Sequence, residues 1–172
     1  RDEEINGIDF LFRSQEEILK DLKDGELVQV ALGPNGQLYS TRVSSYPAGI
    51  GLIALVPAAV LEFRKLPVLS FKEAFIVPES YEKWRVWLSE QAQKSGWDEK
   101  KSRERLEEAR GSYEFALSDN AIRFVLNDDP QKAAGRLRQV SEGKAPNDEA
   151  EARQIAARNL EALKRRQKST GI

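Results

Sequence analysis

Two short apolar runs, Ile50 to Val56 and Ala74 to Val77, and a compact strand candidate, Ala121 to Leu126, punctuate a chain whose other apolar residues recur mostly at helical spacing. A run without polar alternation suits a strand buried on both faces, as in a parallel sheet; a strand with one wet face would alternate. Such runs separated by helical stretches predict a parallel α/β layer with helices on both faces. Ala58 to Lys65 reads as the helix after the first run. Ser80 caps the helix after the second, which carries Trp84, Trp87 and Leu88. Gln91 to Lys101 is polar apart from Ala92 and Trp97 and reads as an exposed excursion, after which Ser102 to Leu117 resumes the helical pattern. Pro130 opens a helix with the stripe Ala133, Ala134, Leu137 and Val140.

Upstream, Ser14 and Glu17 have capping-box spacing ahead of Ile18, Leu19 and Leu22, and that helix ends near Gly25. Leu27 to Leu32 and Gln37 to Val43 are strand candidates around Gly33-Pro34-Asn35-Gly36, whose Asn-Gly favours a hairpin turn. The first 45 residues therefore read as a small αβ unit, with Arg42 exposed on its strand. Gly143 to Asn147 reads as a linker. Beyond it, Glu149 to Lys168 forms a helix with the apolar stripe Ala152, Ile155, Ala156, Leu160 and Leu163. Residues 149 to 172 hold three Glu against six Lys/Arg, a local charge of +3. Docking on its own domain is the leading account of this helix, a protein partner or self-association the second, and nucleic-acid binding the third.

At 172 residues the chain suits one domain with a sizeable core. It has no Cys or His, which excludes a zinc finger, a disulfide framework, a thiol nucleophile and a histidine base. Its 27 Lys+Arg nearly balance 28 Asp+Glu, so any charge-driven function is local. The longest apolar stretch, Ile50 to Val60, is broken by Pro57 and falls well short of the roughly 20 residues that span a bilayer. A soluble, most simply cytoplasmic protein is expected. The chain begins at Arg1 and has no Met, so its natural start is expected upstream.

Three segments together carry a family likeness: Arg1-Asp2-Glu3-Glu4-Ile5-Asn6-Gly7-Ile8-Asp9-Phe10-Leu11-Phe12, Phe75-Ile76-Val77-Pro78-Glu79-Ser80, and Ile122 to Pro130 (IRFVLNDDP). In this order, over about residues 1 to 142, the chain resembles guanylate kinase and its non-catalytic relatives. The resemblance implies a P-loop kinase-like parallel sheet with flanking helices and a small nucleoside-monophosphate-binding αβ subdomain, N-terminally incomplete. It divides the chain into a kinase-like domain over 1–143, with the monophosphate subdomain at about 1–45 and a lid at about 91–104. A linker over 144–148 and a C-terminal helix over 149–172 follow.

Site residues follow from the same resemblance. Arg1 and Glu4 fall on an arginine and a glutamate of the monophosphate motif, and Phe10 on its tyrosine, with the hydroxyl lost. Tyr39 falls on a phosphate-contacting tyrosine and Thr41 on a base-contacting serine. Gln29 falls on the glutamate that reads the guanine edge; an uncharged amide there shifts base preference. Ala54 and Val56 stand where the family has two aspartates, one near magnesium and one near guanine. Lys94 of Lys94-Ser95-Gly96 takes the place of a lid arginine, keeping charge without the fork geometry. Arg105 falls on a second phosphate-facing arginine, with Arg103 the near alternative, and Asn127 on an asparagine near the adenosine of ATP. No G-x-x-x-x-G-K-[ST] occurs in these residues. The resemblance therefore implies a degenerate, non-catalytic domain bound to GMP, another nucleoside monophosphate or a protein, with no cofactor or metal site within this chain. The alternative is a piece of an active guanylate kinase using ATP and Mg2+, with its P-loop upstream of residue 1.

Overall fold

In the computed structural model, which describes residues 5–7, 11–32, 38–46, 49–65 and 70–169, Ser14 opens the first helix as its spacing predicts. The Glu17 backbone N–H donates to the Ser14 hydroxyl at 3.2 Å, and the Ser14 N–H donates to the Glu17 carboxylate at 2.8 Å. This caps α1 (Gln15–Lys23). Gly25, at φ +73°, then takes the left-handed conformation that releases the chain into β1 (Leu27–Leu32). β1 pairs antiparallel with β2 (Leu38–Arg42), Gln29 opposite Thr41 and Ala31 opposite Tyr39. The expected turn at Gly33 to Gly36 lies outside the described residues. Of the expected α1 stripe only Ile18 is buried, while Leu19 and Leu22 are exposed; the other buried residue of α1 is Asp21.

These elements belong to one compact unit, Arg1–Ala54, and the remainder to a second, Leu55–Ile172. The second unit runs α2 (Pro57–Phe63), β3 (Ala74–Pro78), α3 (Tyr81–Lys94), α4 (Glu99–Ser118), β4 (Arg123–Asn127), α5 (Pro130–Ser141) and α6 (Glu149–Ser169). β3 and β4 pair in parallel, Phe75 beside Phe124 and Val77 beside Leu126. One face of the pair packs Phe75, Val77, Phe124 and Leu126 against Tyr113 and Ala116 of α4 and Ala152, Ile155, Ala156 and Leu160 of α6. On the other face Val125 packs with Ala133, Leu137 and Val140 of α5. Helices thus cover both faces of β4, which explains why its apolar run does not alternate.

α6 is part of this core. Ala152 and Ala156 are fully buried, and residues this small let the helix approach the strands closely. Arg153 holds its guanidinium 4.2 Å from the centre of the Phe124 ring and donates to the Ile122 carbonyl at 3.1 Å. Asn159, also buried, donates from Nδ2 to the Pro78 carbonyl at 3.2 Å and to the Tyr113 hydroxyl at 3.4 Å. The stripe of α6 is therefore used within its own unit.

Three expectations change. Ile50 to Val56 forms no strand: Ile50, Leu52 and Val56 are 71%, 77% and 64% exposed. A strand needs a neighbour for its N–H and C=O groups, and no described strand pairs with this run. The polar stretch Gln91 to Lys101 is largely helical. α3 continues to Lys94, Gly96 at φ +59° turns the chain, and Asp98 caps α4 by accepting the Lys101 N–H at 2.6 Å. Arg42, expected exposed on its strand, is half-buried and ion-paired with Asp21.

Replacing Asn159 by Ala leaves the Pro78 carbonyl and Tyr113 hydroxyl without this buried donor. The substitution should lower unfolding free energy by about 1–3 kcal/mol, read from the urea midpoint at unchanged slope. A change below about 0.5 kcal/mol would show that these bonds do not hold α6 in place.

Candidate functional site

The register sets Gln29 of β1 opposite Thr41 of β2, and Tyr39, two residues from Thr41, falls on the same face of β2. Three of the residues singled out by sequence thus share one face of the first unit. Gln29 donates from Nε2 to the Thr41 hydroxyl at 3.5 Å, both side chains being half-buried, while Tyr39 is 44% exposed. This face presents an amide, an aliphatic hydroxyl and a phenol, all neutral hydrogen-bonding groups.

Arg42 points from the opposite face of the hairpin toward α1. Its Nη2 donates to Asp21 Oδ1 at 2.6 Å and its Nε to Oδ2 at 3.0 Å, a bidentate pair, and Arg13 reaches the same carboxylate at 3.2 Å. The hydrogen bonds from Arg42 hold the Asp21 carboxyl below the usual carboxylate range. This ties α1 to the residue next to Thr41. Sequence reading missed Asp21, although its position three residues after Ile18, on the helix's one buried stripe, is the pattern of a carboxylate that needs a cation.

Lys94 lies at the end of α3 and Arg105 on α4, both in the second unit. Lys94 is exposed in the last turn of α3. Arg105 is half-buried, its guanidinium 5.7 Å from the Trp97 ring centre, and its Nη1 donates to Glu108 at 2.7 Å. Its Nε is buried and has no hydrogen-bond partner among the described residues. Trp97 therefore packs under a cation. Arg103, the near alternative, is exposed and pairs at 3.7 Å with Glu99. Asn127 is exposed at the C-terminal end of β4, the end of a parallel strand where α/β folds bind ligands. Arg1, Glu4 and Phe10 lie outside the described residues. Ala54 and Val56 are exposed and bring no oxygen acceptor on their side chains.

Beyond Asn127, the two aspartates divide their work. Asp129 caps α5 by accepting the Lys132 N–H at 2.9 Å. Asp128 accepts from Arg136 Nη1 at 2.5 Å, and the same nitrogen donates to the Leu126 carbonyl at 2.7 Å. Arg136 also pairs with Asp148 ahead of α6. One guanidinium thus joins the end of β4, α5 and the start of α6. Among the described residues no group of three or more His, Cys, Asp or Glu could hold a metal ion, and no helix is long and apolar enough to cross a membrane.

The Arg136 hydrogen bond holds the Asp128 pKa at about 2, against about 3.9 for an unfolded aspartate. A depressed carboxyl stabilises the fold above its unfolded pKa, and that contribution disappears as pH falls toward the folded value. Wild type should therefore resist urea better than Asp128→Asn at pH 7, with the gap closing between about pH 5 and pH 2. A gap that stays constant to pH 2.5 would contradict the ion pair. No protein-family model matches this chain, and no curated protein matches it.

Proposed function

We propose that this chain is a guanylate kinase-like domain that binds a nucleoside monophosphate and does not itself transfer a phosphoryl group. The observation that carries the reading is the shared face of Gln29, Thr41 and Tyr39. The resemblance assigns the first two to the base and the third to phosphate, and the strand register sets them side by side. In this reading Arg1 and Tyr39 hold the phosphate, Glu4 belongs to the same nucleotide-binding motif, and Thr41 and Gln29 meet the base. The resemblance also gives Lys94 and Arg105 of the second unit a phosphate-neutralising role and Asn127 a role toward adenosine.

The chemistry of transfer is lacking. In-line phosphoryl transfer is positioning plus electrostatic stabilisation, and a P-loop with its lysine and magnesium supplies most of both. These residues contain no such loop. Ala54 and Val56 cannot organise metal-bound water, and Phe10 has no hydroxyl to give a phosphate. A binding module retaining the nucleotide pocket, or adapted to a protein ligand, fits that combination. The cytoplasm, where nucleoside monophosphates are made and used, is the compartment that suits it.

A second reading, an ATP-dependent guanylate kinase whose P-loop strand comes from outside these residues, is favoured by one observation. Ile50 to Val56 is apolar, exposed and unpaired, and β3 pairs with β4 alone among the described strands, with Ile76 42% exposed. A sheet lacking a neighbouring strand leaves edges of this kind.

Calorimetric titration of the 172-residue chain with GMP, dGMP, AMP and ATP separates these readings. The first predicts submillimolar binding of a monophosphate, lost on combining Arg1→Ala with Tyr39→Phe, and no ADP formed from ATP, Mg2+ and a bound monophosphate. No binding by a folded, monodisperse sample would overturn the monophosphate site. ADP formation on adding a P-loop segment would move the assignment to the kinase.

A further inference from the structure

We infer that two copies of this chain associate by strand exchange, the Ile50 to Val56 run of each adding to the outer edge of β3 in the other. The inference rests on the free backbone of the β3–β4 sheet and not on the nucleotide reading.

The register decides which edge is open. The Arg123 N–H donates to the Glu73 carbonyl at 3.0 Å, which sets a parallel ladder in which Phe75 and Val77 of β3 and Arg123, Val125 and Asn127 of β4 turn their backbone groups toward each other. The residues between them turn those groups outward. On the β4 edge the outward carbonyls of Ile122 and Leu126 both accept from guanidinium groups, of Arg153 at 3.1 Å and of Arg136 at 2.7 Å. Each arginine is itself held, Arg153 over the Phe124 ring and Arg136 by Asp128 and Asp148. A strand arriving there would have to displace two anchored cations, so this edge is closed. On the β3 edge Asn159 takes the Pro78 carbonyl at 3.2 Å, while among the described residues no hydrogen bond reaches the outward groups of Ala74 and Ile76. The Ile76 side chain beside them is exposed. The sheet can therefore grow beside β3 and not beside β4.

The occupant follows from what else is unpaired. A second β3 set antiparallel about Ile76 fits poorly, because Pro78 has no N–H and its carbonyl is taken. The Ile50 to Val56 run fits better. Its seven residues carry no polar or charged side chain and can cover the five of β3. Among the described residues no hydrogen bond reaches its backbone from Ile50 to Leu55, and only the Val56 carbonyl is used, by the Val60 N–H. An apolar run of this kind has the composition of an inner strand and lacks only a neighbour. Within one chain it does not pair with β3. Exchange between two chains gives each run an edge and each edge a run, and a two-fold arrangement closes at two copies. A net charge of -1 per chain opposes this little.

Sedimentation equilibrium of the full chain tests the inference, folding being checked by circular dichroism. A monomer–dimer equilibrium with a dissociation constant of about 100 μM or tighter is expected. Ile53→Lys, on a run that makes no contact the fold depends on, should weaken the dimer at least about tenfold, and Ile76→Lys should do the same from the other side. The chain has no cysteine, so introduced thiols meet no background. Ile53→Cys chains mixed with Ile76→Cys chains should give more dimer with a short bismaleimide than either chain alone. Monomer alone at about 500 μM would overturn the inference, as would a dimer that Ile53→Lys leaves unchanged. Cross-links formed only within single chains of the Ile53→Cys, Ile76→Cys double variant would overturn the exchange and place the run on its own β3.

Discussion

Burial of β4 on both faces is the constraint on which the second unit depends. Phe124 and Val125 are fully buried although they point to opposite sides of the strand. A strand in that position must be covered above and below, and α4, α5 and α6 can be understood by which side they close. α5 closes the Val125 side with Ala133, Leu137 and Val140. α4 and α6 close the Phe124 side together. Covering an apolar side chain of this size stabilises by about 1.5–3 kcal/mol, so loss of either layer is of the order of a small domain's whole stability.

Polar contacts then specify the arrangement that hydrophobic burial favours in general. Arg136 reaches the end of β4, the start of α5 and the approach to α6, and Asn159 fastens α6 to the end of β3 and to α4. At the other end of the unit, Arg64 bonds to Glu73 ahead of β3 and to Asp119 after α4, and those two carboxylates raise its pKa. Such buried or half-buried pairs add little net energy beside apolar packing, but each one penalises a shifted register. The first unit uses the same logic on a smaller scale. Ile18 alone anchors the apolar side of α1, and Asp21 compensates by gripping Arg42 and Arg13.

What was legible in the sequence was what local chemistry determines. The Ser14 box, the Ser80 cap and Pro130 at the first turn of α5 each satisfy helix ends with groups a few residues away, and the structure has them where the spacing predicts. The stripe of α6 was readable because it repeats at the period of a helix, and β4 because it is a compact apolar segment ahead of Asn127 to Pro130. Ile50 to Val56 has the composition of a buried strand but forms none, because pairing depends on a neighbour that composition cannot supply. The end of α3 was misread for a related reason. Gln91 to Lys94 are sound helix formers that simply bury little, so the apolar pattern ended before the helix did. Of the site, the hairpin register joined Gln29, Tyr39 and Thr41, whereas the Asp21 clamp and the Trp97–Arg105 stack depend on tertiary proximity.

The functional account stands on the face shared by Gln29, Thr41 and Tyr39. Backbone amide chemical shifts, followed by two-dimensional NMR during titration with a purine monophosphate, test that face most directly. The account predicts saturable shifts centred on residues 29, 39 and 41, with Asp21 and α5 little changed. Saturable shifts confined to other elements, or none at millimolar nucleotide in a folded sample, would contradict it.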